Sequence, residues 1–367
     1  MTSLELVKEQ RRTGGVPRSV PTSHPDDDRI GFPAMAHFGD PEGEYEAVGS
    51  DTVLFDISDR SQIELTGTDA RQFLNSFCTN DLLRMGDGEG CEAFVANIKG
   101  RILAHIFVFL NERSIWIETS RHAEKPLLAH LDRYLINRDV QFHSQTDRFG
   151  ELFVTGPRSA ERLSLLDIHS DDIAPLEHKI ARRDQGDIVF RRVDLFEQPG
   201  IVLSIDRERI PDLWRELTAS GIRPGGADAF HAHRIACGFP IHGIDLTDAE
   251  LAQESSREQK AISFTKGCYL GQAPIARLNT RGHVNRKLRV FKFDSTSPPR
   301  TGAPIRTESG REIGVISSSA IVPGENRSVA LGIVRSSHAH PESTVVVLIN
   351  DREVPATVFW HEQPTLT

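Results

Sequence analysis

From about residue 60 the chain alternates apolar and polar positions. In "SQIELTG" Ile63 and Leu65 share one face, the period-two pattern of a half-buried strand. "TDARQFLNSF" follows, with Thr68 or Asp69 placed to cap a helix. Ala70, Phe73, Leu74 and Phe77 then keep helical spacing. The same sentence recurs in "LFVTGPRSAERLSLL". Thr66-Gly67 returns as Thr155-Gly156 and Leu74 as Leu163, at one constant offset. Between the copies, "AFVANIKGRILAHIFVFL" predicts a hairpin turning at Lys99-Gly100, "SIWIET" a strand, and "AEKPLLAHLDRYLI" a helix with Leu127, Leu128, Leu131 and Leu135 inward. After the second copy, "DIVFRRV" and "GIVLSI" read as strands and "PDLWRELTAS" as a helix ending at Gly221. Two similar α+β units imply duplicated, packed sheet-and-helix halves.

The ends differ. From about residue 287, "KLRVFKFD", "APIRTES", "EIGVISSSA", "SVALGIVR" and "STVVVLI" are short strands punctuated by Gly, Pro, Ser and Asn, which predicts a small antiparallel barrel or sandwich. At the other end, residues 1–39 are rich in Pro, Ser and Thr and read as a flexible tail. "GEYEAVGSDTVLFDIS" reads as a short helix running into a turn. The expected division is a tail at 1–39, halves at about 40–148 and 149–285, and a barrel at 286–362.

The chain's 367 residues suffice for two or three domains with a sizeable core. Its hydrophobic share of 38% and charged share of 26% are those of a globular protein. A net charge of -9 argues against a protein that coats nucleic acid, although residues 277 to 289 form a local basic stretch. No apolar run approaches the roughly 20 residues of a membrane span, and the N-terminal stretch lacks the apolar core of a signal peptide. The four cysteines, Cys78, Cys91, Cys237 and Cys268, contain no C-x-x-C pair. Neither a zinc site nor a disulfide scaffold is indicated, and a reducing cytoplasm is the expected location. His231 and His233 have ligand spacing but no evident third ligand.

The chemistry concentrates in "SFTKGCYLGQAPIARLNTRG", residues 263–282. Cys268 has Lys266 close by, and cationic neighbours lower a thiol's pKa and favour the reactive thiolate. Gly267 and Gly271 permit a tight turn or a close approach to a ligand. Gln272 offers a donor and an acceptor, and Arg277 and Arg281 can pair with carboxylates. A buried cysteine acting as a small hydrophobe in a Lys-Gly turn is the competing reading.

"KGCYLGQ", with Arg277 beyond it, resembles the signature of the YgfZ family, a branch of the superfamily that includes the glycine cleavage T-protein, an aminomethyltransferase. "LFDISDRSQIELTGTDARQFLNSFCTND", "NIKGRIL", "HRIACGFPIHGID" and "REIGVISSSAIVPGENRSVALGIV" resemble further superfamily blocks, so the likeness runs from about residue 40 to 360. It implies a three-domain cloverleaf around a central channel that binds tetrahydrofolate. It also implies a role in assembly or repair of iron–sulfur client enzymes, with effects on tRNA modification and no direct nucleic-acid binding. The implied site is Cys268 and Lys266 for chemistry, with Asn97, Arg101, Tyr269, Gly271, Gln272 and Arg277 holding the folate, and no metal.

Three departures matter. The T-protein's acidic pair after its glycine signature matches Ala104 and His105 here. Its pterin-facing glutamate matches Ala236 in "RIACG". The family's G-Q-E continuation reads Gly271-Gln272-Ala273-Pro274. Together these lead to an expected folate-dependent accessory protein without glycine-cleavage activity, the alternative being a diverged aminomethyl- or methyltransferase. Cys268 could form a mixed disulfide, hold a sulfur or iron species, or meet a folate-borne carbon; the residues do not choose.

Overall fold

The computed structural model describes residues 4–18 and 34–360. The fold is α+β with a closed antiparallel barrel at the C-terminal end. The first half is a five-stranded sheet in the order Gly90–Ala96, Ile102–Leu110, Ile115–Thr119, Ser61–Thr66, Gln141–Ser144. Alternate residues Ile63, Leu65, Ala93, Val95, Ala104, Ile106, Val108 and Ile117 point to one face. There they pack on the helices Ala70–Asn75 and Arg121–Asp132 through Phe73, Leu74, Leu127 and Leu131. Neither Thr68 nor Asp69 caps the first of these helices by its side chain. Asp139 instead accepts from the Thr68 backbone N–H at 2.8 Å and hydroxyl at 2.9 Å.

The second sheet has six strands, in the order His178–Ala181, Ile188–Arg192, Gly200–Asp206, Phe149–Thr155, Val53–Asp56, Arg223–Pro224. Its outer face packs on the helix Ile210–Ala219, with Trp214 fully buried. The stretch read as a turn after residue 50 is therefore a strand. Val53, Leu54 and Phe55 are wholly buried within the second sheet, although the residues that follow build the first. The tail expectation also fails over part of its length. The helix Leu4–Arg12 buries Leu6 against the second half's core, and Gln10 donates to Asp56 Oδ2 at 3.1 Å. A short apolar stripe on a polar helix is too weak a signal to stand out among Pro and Ser. Val16–Pro17 and Met35–His37 pair as a small two-stranded sheet, and residues 1–3 and 19–33 lie outside the described residues.

The barrel closes in the order Arg286–Phe293, Ser328–Arg335, Glu312–Ile321, Pro304–Arg306, Thr344–Ile349, Arg352–Phe359. Its sixth strand, "REVPATVF", is polar enough to escape the periodicity reading. Asp245 docks the barrel: it accepts from Arg234 Nη1 at 2.8 Å, the Ile241 N–H at 2.9 Å and the Ser317 hydroxyl at 2.6 Å. No helix among the described residues is long and apolar enough to cross a membrane.

The cysteine motif is stitched to the first sheet. Leu270 and Ser263 donate their N–H groups to the carbonyls of Ser76 and Thr79, each at 2.9 Å. Lys266 is buried, and its ammonium donates to the carbonyls of Asn75 at 2.7 Å, Cys78 at 2.9 Å and Asn80 at 2.6 Å. Gly271 stands at φ +85° before the helix Gln272–Arg281, and a Cβ there would lie 2.5 Å from the carbonyl oxygen of Asn97.

Three outcomes follow for denaturant melts. Gly271→Ala should cost about 2 kcal/mol or more through left-handed strain and the backbone clash. Gly267→Ala, where an added Cβ meets nothing within 4 Å, should stay within about 0.5 kcal/mol. Lys266→Met should cost about 2–4 kcal/mol by stranding three carbonyls. Equal melts for the two glycine variants would contradict the docking.

Candidate functional site

The residues singled out in the sequence gather in two neighbouring places. Asn97 closes the hairpin turn, its Oδ1 accepting from the N–H groups of Lys99 at 2.9 Å and Arg101 at 3.2 Å. Gly100 of that turn packs on Pro274 and Ile275, so the hairpin tip and the helix Gln272–Arg281 form one packed joint. Tyr269 is buried in the cluster beneath it with Phe94, Ile102 and Ile275. Arg101 Nη1 donates to the Ala249 carbonyl. Gln272 Nε2 donates to the Gly267 carbonyl at 3.3 Å. Cys268 and Arg277 are exposed. The proposed activation of Cys268 by Lys266 does not match this geometry, because all three ammonium protons are spent on carbonyls of residues 75–80. His231 and His233 also part: His231 Nδ1 accepts from Arg234 Nε at 2.9 Å, while His233 Nε2 contacts the Tyr45 carbonyl at 2.9 Å.

A second concentration of chemistry lies where the two sheets face each other. Strands that carry apolar residues toward the helices carry the alternate set inward. Part of that set is aromatic, with Phe55, Phe107, Phe109 and Phe153 in one cluster. The rest is charged. Glu118 and Glu151 come from opposite sheets and are fully buried. Arg191 Nη1 lies 2.8 Å from Glu118 and 3.5 Å from Glu151, and Arg60 approaches both at 4.0 and 3.9 Å. Burial and then the Glu118 charge push the Glu151 carboxyl well above its ordinary range.

His105 faces this interior, while its neighbour Ala104 faces the helices. The imidazole Nε2 is 2.7 Å from Glu92 Oε1. Arg257 grips the same carboxylate in a fork, Nη2 to Oε2 at 2.6 Å and Nε to Oε1. Burial alone would raise Glu92, but the charge and hydrogen bonds of Arg257 outweigh it and hold the carboxyl far below its usual range. Burial lowers His105, so the ring is neutral at pH 7. A small enclosed cavity of about 20 Å³ adjoins it, lined by Arg60, His105, Phe107, Ser120 and the segment 239–242.

A separate pocket of about 190 Å³ is lined in part by the helices Pro41–Ser50 and Ala227–Ala236. Its walls include Tyr45, Phe196 and His233, with the Tyr45 and His233 rings stacked at 4.1 Å. Glu197, Gln198, Ala236, Cys237 and exposed Lys292 also line it. Burial raises the Cys237 thiol to about 12, so it is no nucleophile at neutral pH.

Sequence reasoning missed Glu92, Arg257, Glu118, Glu151, Arg191 and the aromatic pocket. Single charged residues inside otherwise apolar strands, as in "GCEAFV", "IWIET" and "GELFV", are the signal that could have found the first of these.

Comparison with known proteins agrees with this architecture. Residues 29–258 match the GCVT N-terminal domain and residues 286–364 match the glycine cleavage T-protein C-terminal barrel domain. The chain is 26% identical to an aminomethyltransferase of Rubrobacter xylanophilus, over 90% of this chain and 88% of that one. It is 24% identical to an aminomethyltransferase of Staphylococcus epidermidis, over 91% and 92%. The crystal structure of glycine cleavage system aminomethyltransferase T from Bartonella henselae superposes with a TM-score of 0.82 at 18% identity, covering 100% of this chain and 98% of that one, which shows a shared fold. These two domain matches, the first covering more than half of the chain, establish that the protein belongs to the glycine cleavage T-protein superfamily.

Proposed function

We propose that the chain is a tetrahydrofolate-dependent one-carbon transferase of the T-protein type, diverged from glycine cleavage. The observation that carries this is His105. An imidazole held by Glu92 and Arg257 stands at the inward-facing position of the pair where the T-protein resemblance puts carboxylates. A carboxylate there can stabilise positive charge on an aminomethyl donor. A neutral imidazole flanked by Arg257 and Arg60 cannot.

Tetrahydrofolate is the cofactor of this family, and it supplies an acceptor or donor for a single carbon. The aromatic pocket fits its ring system. Tyr45 and Phe196, with His233 stacked against both, present aromatic surface in its wall, and Gln198 offers an amide donor and acceptor. Ala236, at the position the resemblance makes pterin-facing, lies in this pocket's wall. About 190 Å³ suits a ring system rather than a whole folate, whose typical pocket would be about 300–1,000 Å³. The glutamyl tail would leave through the open side, past the Lys292 ammonium.

A second reading keeps the YgfZ-like role, an accessory to iron–sulfur client enzymes, through a different observation. Cys268 is exposed on a loop braced from behind by Lys266, so a partner could reach its thiol without opening the fold. In a strain lacking its YgfZ-like protein, scored by an iron–sulfur enzyme, Cys268→Ser should then fail to complement although it folds. Full complementation removes this reading.

For the main proposal, tetrahydrofolate at about 100 times its Kd should stabilise the chain by about 2.7 kcal/mol in thermal melts. Tyr45→Ala should abolish most of that shift. No shift with any reduced folate would overturn the folate assignment. With glycine-charged lipoyl carrier protein the chain should release no ammonia, and turnover at the rate of a genuine T-protein would contradict the role given to His105.

A further inference from the structure

The wall of the pocket given to folate is mostly neutral. Burial pushes the Tyr45 hydroxyl and the Cys237 thiol up to about 12 and lowers His233, so all three are uncharged at pH 7. Among the described residues that line it, the charged ones are Glu197 and Lys292. Tyr45, His233, Cys237 and Lys292 are each shifted chiefly by burial and then, to a smaller extent, by the charge of Glu197, which places that carboxylate within reach of all four. Ala236 adds only a methyl group to the same wall.

The loop that carries Glu197 joins the strands Ile188–Arg192 and Gly200–Asp206, and it is pinned on both sides. Before Glu197, Phe196 is buried, its ring 5.8, 5.3 and 5.3 Å from those of Phe55, Phe153 and Phe230 between centroids. After it, the Pro199 carbonyl accepts from the Thr155 hydroxyl at 2.9 Å, and the Gly200 N–H donates to Asp194 Oδ1 at 3.2 Å. The main chain of Glu197 itself is hydrogen-bonded to Cys237. Between these anchors Glu197 and Gln198 line the pocket as neighbours. A recognition pair on a fixed loop loses little conformational entropy when a ligand arrives.

One edge of a pterin carries an exocyclic amine, a ring N–H and a carbonyl oxygen in a row. Two donors side by side match the two oxygens of a carboxylate, and the carbonyl matches an amide N–H. We infer that Glu197 is the specificity-determining residue of this pocket: its carboxylate accepts from the amine and the ring N–H, Gln198 Nε2 donates to the carbonyl, and the glutamyl tail lies toward Lys292. This rests on the folate reading above. A ring that bears a second carbonyl in place of the amine, as a flavin does, turns an acceptor toward the Glu197 oxygens with no proton between them. The pocket therefore rejects dioxo rings of similar size and shape by leaving polar groups unpaired.

Calorimetric titration of the full chain tests this with two ligands, tetrahydrofolate and its analogue with hydrogen in place of the exocyclic amine. The unsubstituted chain should bind tetrahydrofolate about 10-fold or more tightly than the analogue, the worth of one hydrogen bond to a charged group. Glu197→Gln should weaken tetrahydrofolate by a similar factor and bind the two ligands within about 3-fold of each other. Glu197 is exposed and the amide keeps its shape, so this variant leaves the core intact. Lys292→Gln should weaken both ligands equally and keep the discrimination. A Glu197→Gln chain that still discriminates, a Lys292→Gln chain that does not, or an unsubstituted chain that binds both ligands alike overturns the inference and leaves the folate reading standing. An unsubstituted chain that binds neither ligand removes the folate reading and the role of Glu197 together.

Discussion

The grip of Arg257 on Glu92 is the contact on which the rest of the interior depends. The partners are separated by 165 positions in sequence, are nearly completely buried, and meet through two nitrogens and two oxygens. Removing either would strand a full charge inside the protein, an outcome that costs about 3–5 kcal/mol. The pair ties the segment that follows the second sheet to the strand Gly90–Ala96 of the first. It also ionises Glu92, and that in turn decides which nitrogen of His105 bears a proton. One ion pair thus sets a chain crossing, a burial and a tautomer.

The same logic explains why the signature cysteine and the interior chemistry are separate. Residues 260–270 must cross the first sheet's edge to join the second half to the barrel. Main-chain bonds to residues 76–79 and the Lys266 ammonium hold that crossing. Tyr269 turns inward and Cys268 turns out. The loop has an inner side that carries structure and an outer side that offers a thiol.

The duplicated halves and the barrel were legible because period-two and helical spacing report which face is buried, and both sheets bury one face on helices. The strand Val53–Asp56 was not, because it is buried on both faces and joins a sheet built mostly from distant residues. The helix Leu4–Arg12 has one strongly buried leucine, which is too little pattern. At the site, the substitution at His105 was visible by resemblance. Its partner Glu92 lies 13 positions away and meets it only because strands Gly90–Ala96 and Ile102–Leu110 pair antiparallel. The role of Lys266 was misjudged for a related reason. Proximity in sequence to Cys268 suggested a partnership, whereas the fold offered the buried ammonium three carbonyls and left the thiol exposed.

The central claim is that a T-protein fold has exchanged a carboxylate for a neutral imidazole, His105, while keeping a pocket for the folate ring. The direct measurement is a crystal structure of the complex with tetrahydrofolate. The account predicts the ring in the pocket walled by Tyr45, Gln198 and Ala236. A folate bound on the outer face beside Cys268, with the interior unchanged, would contradict it.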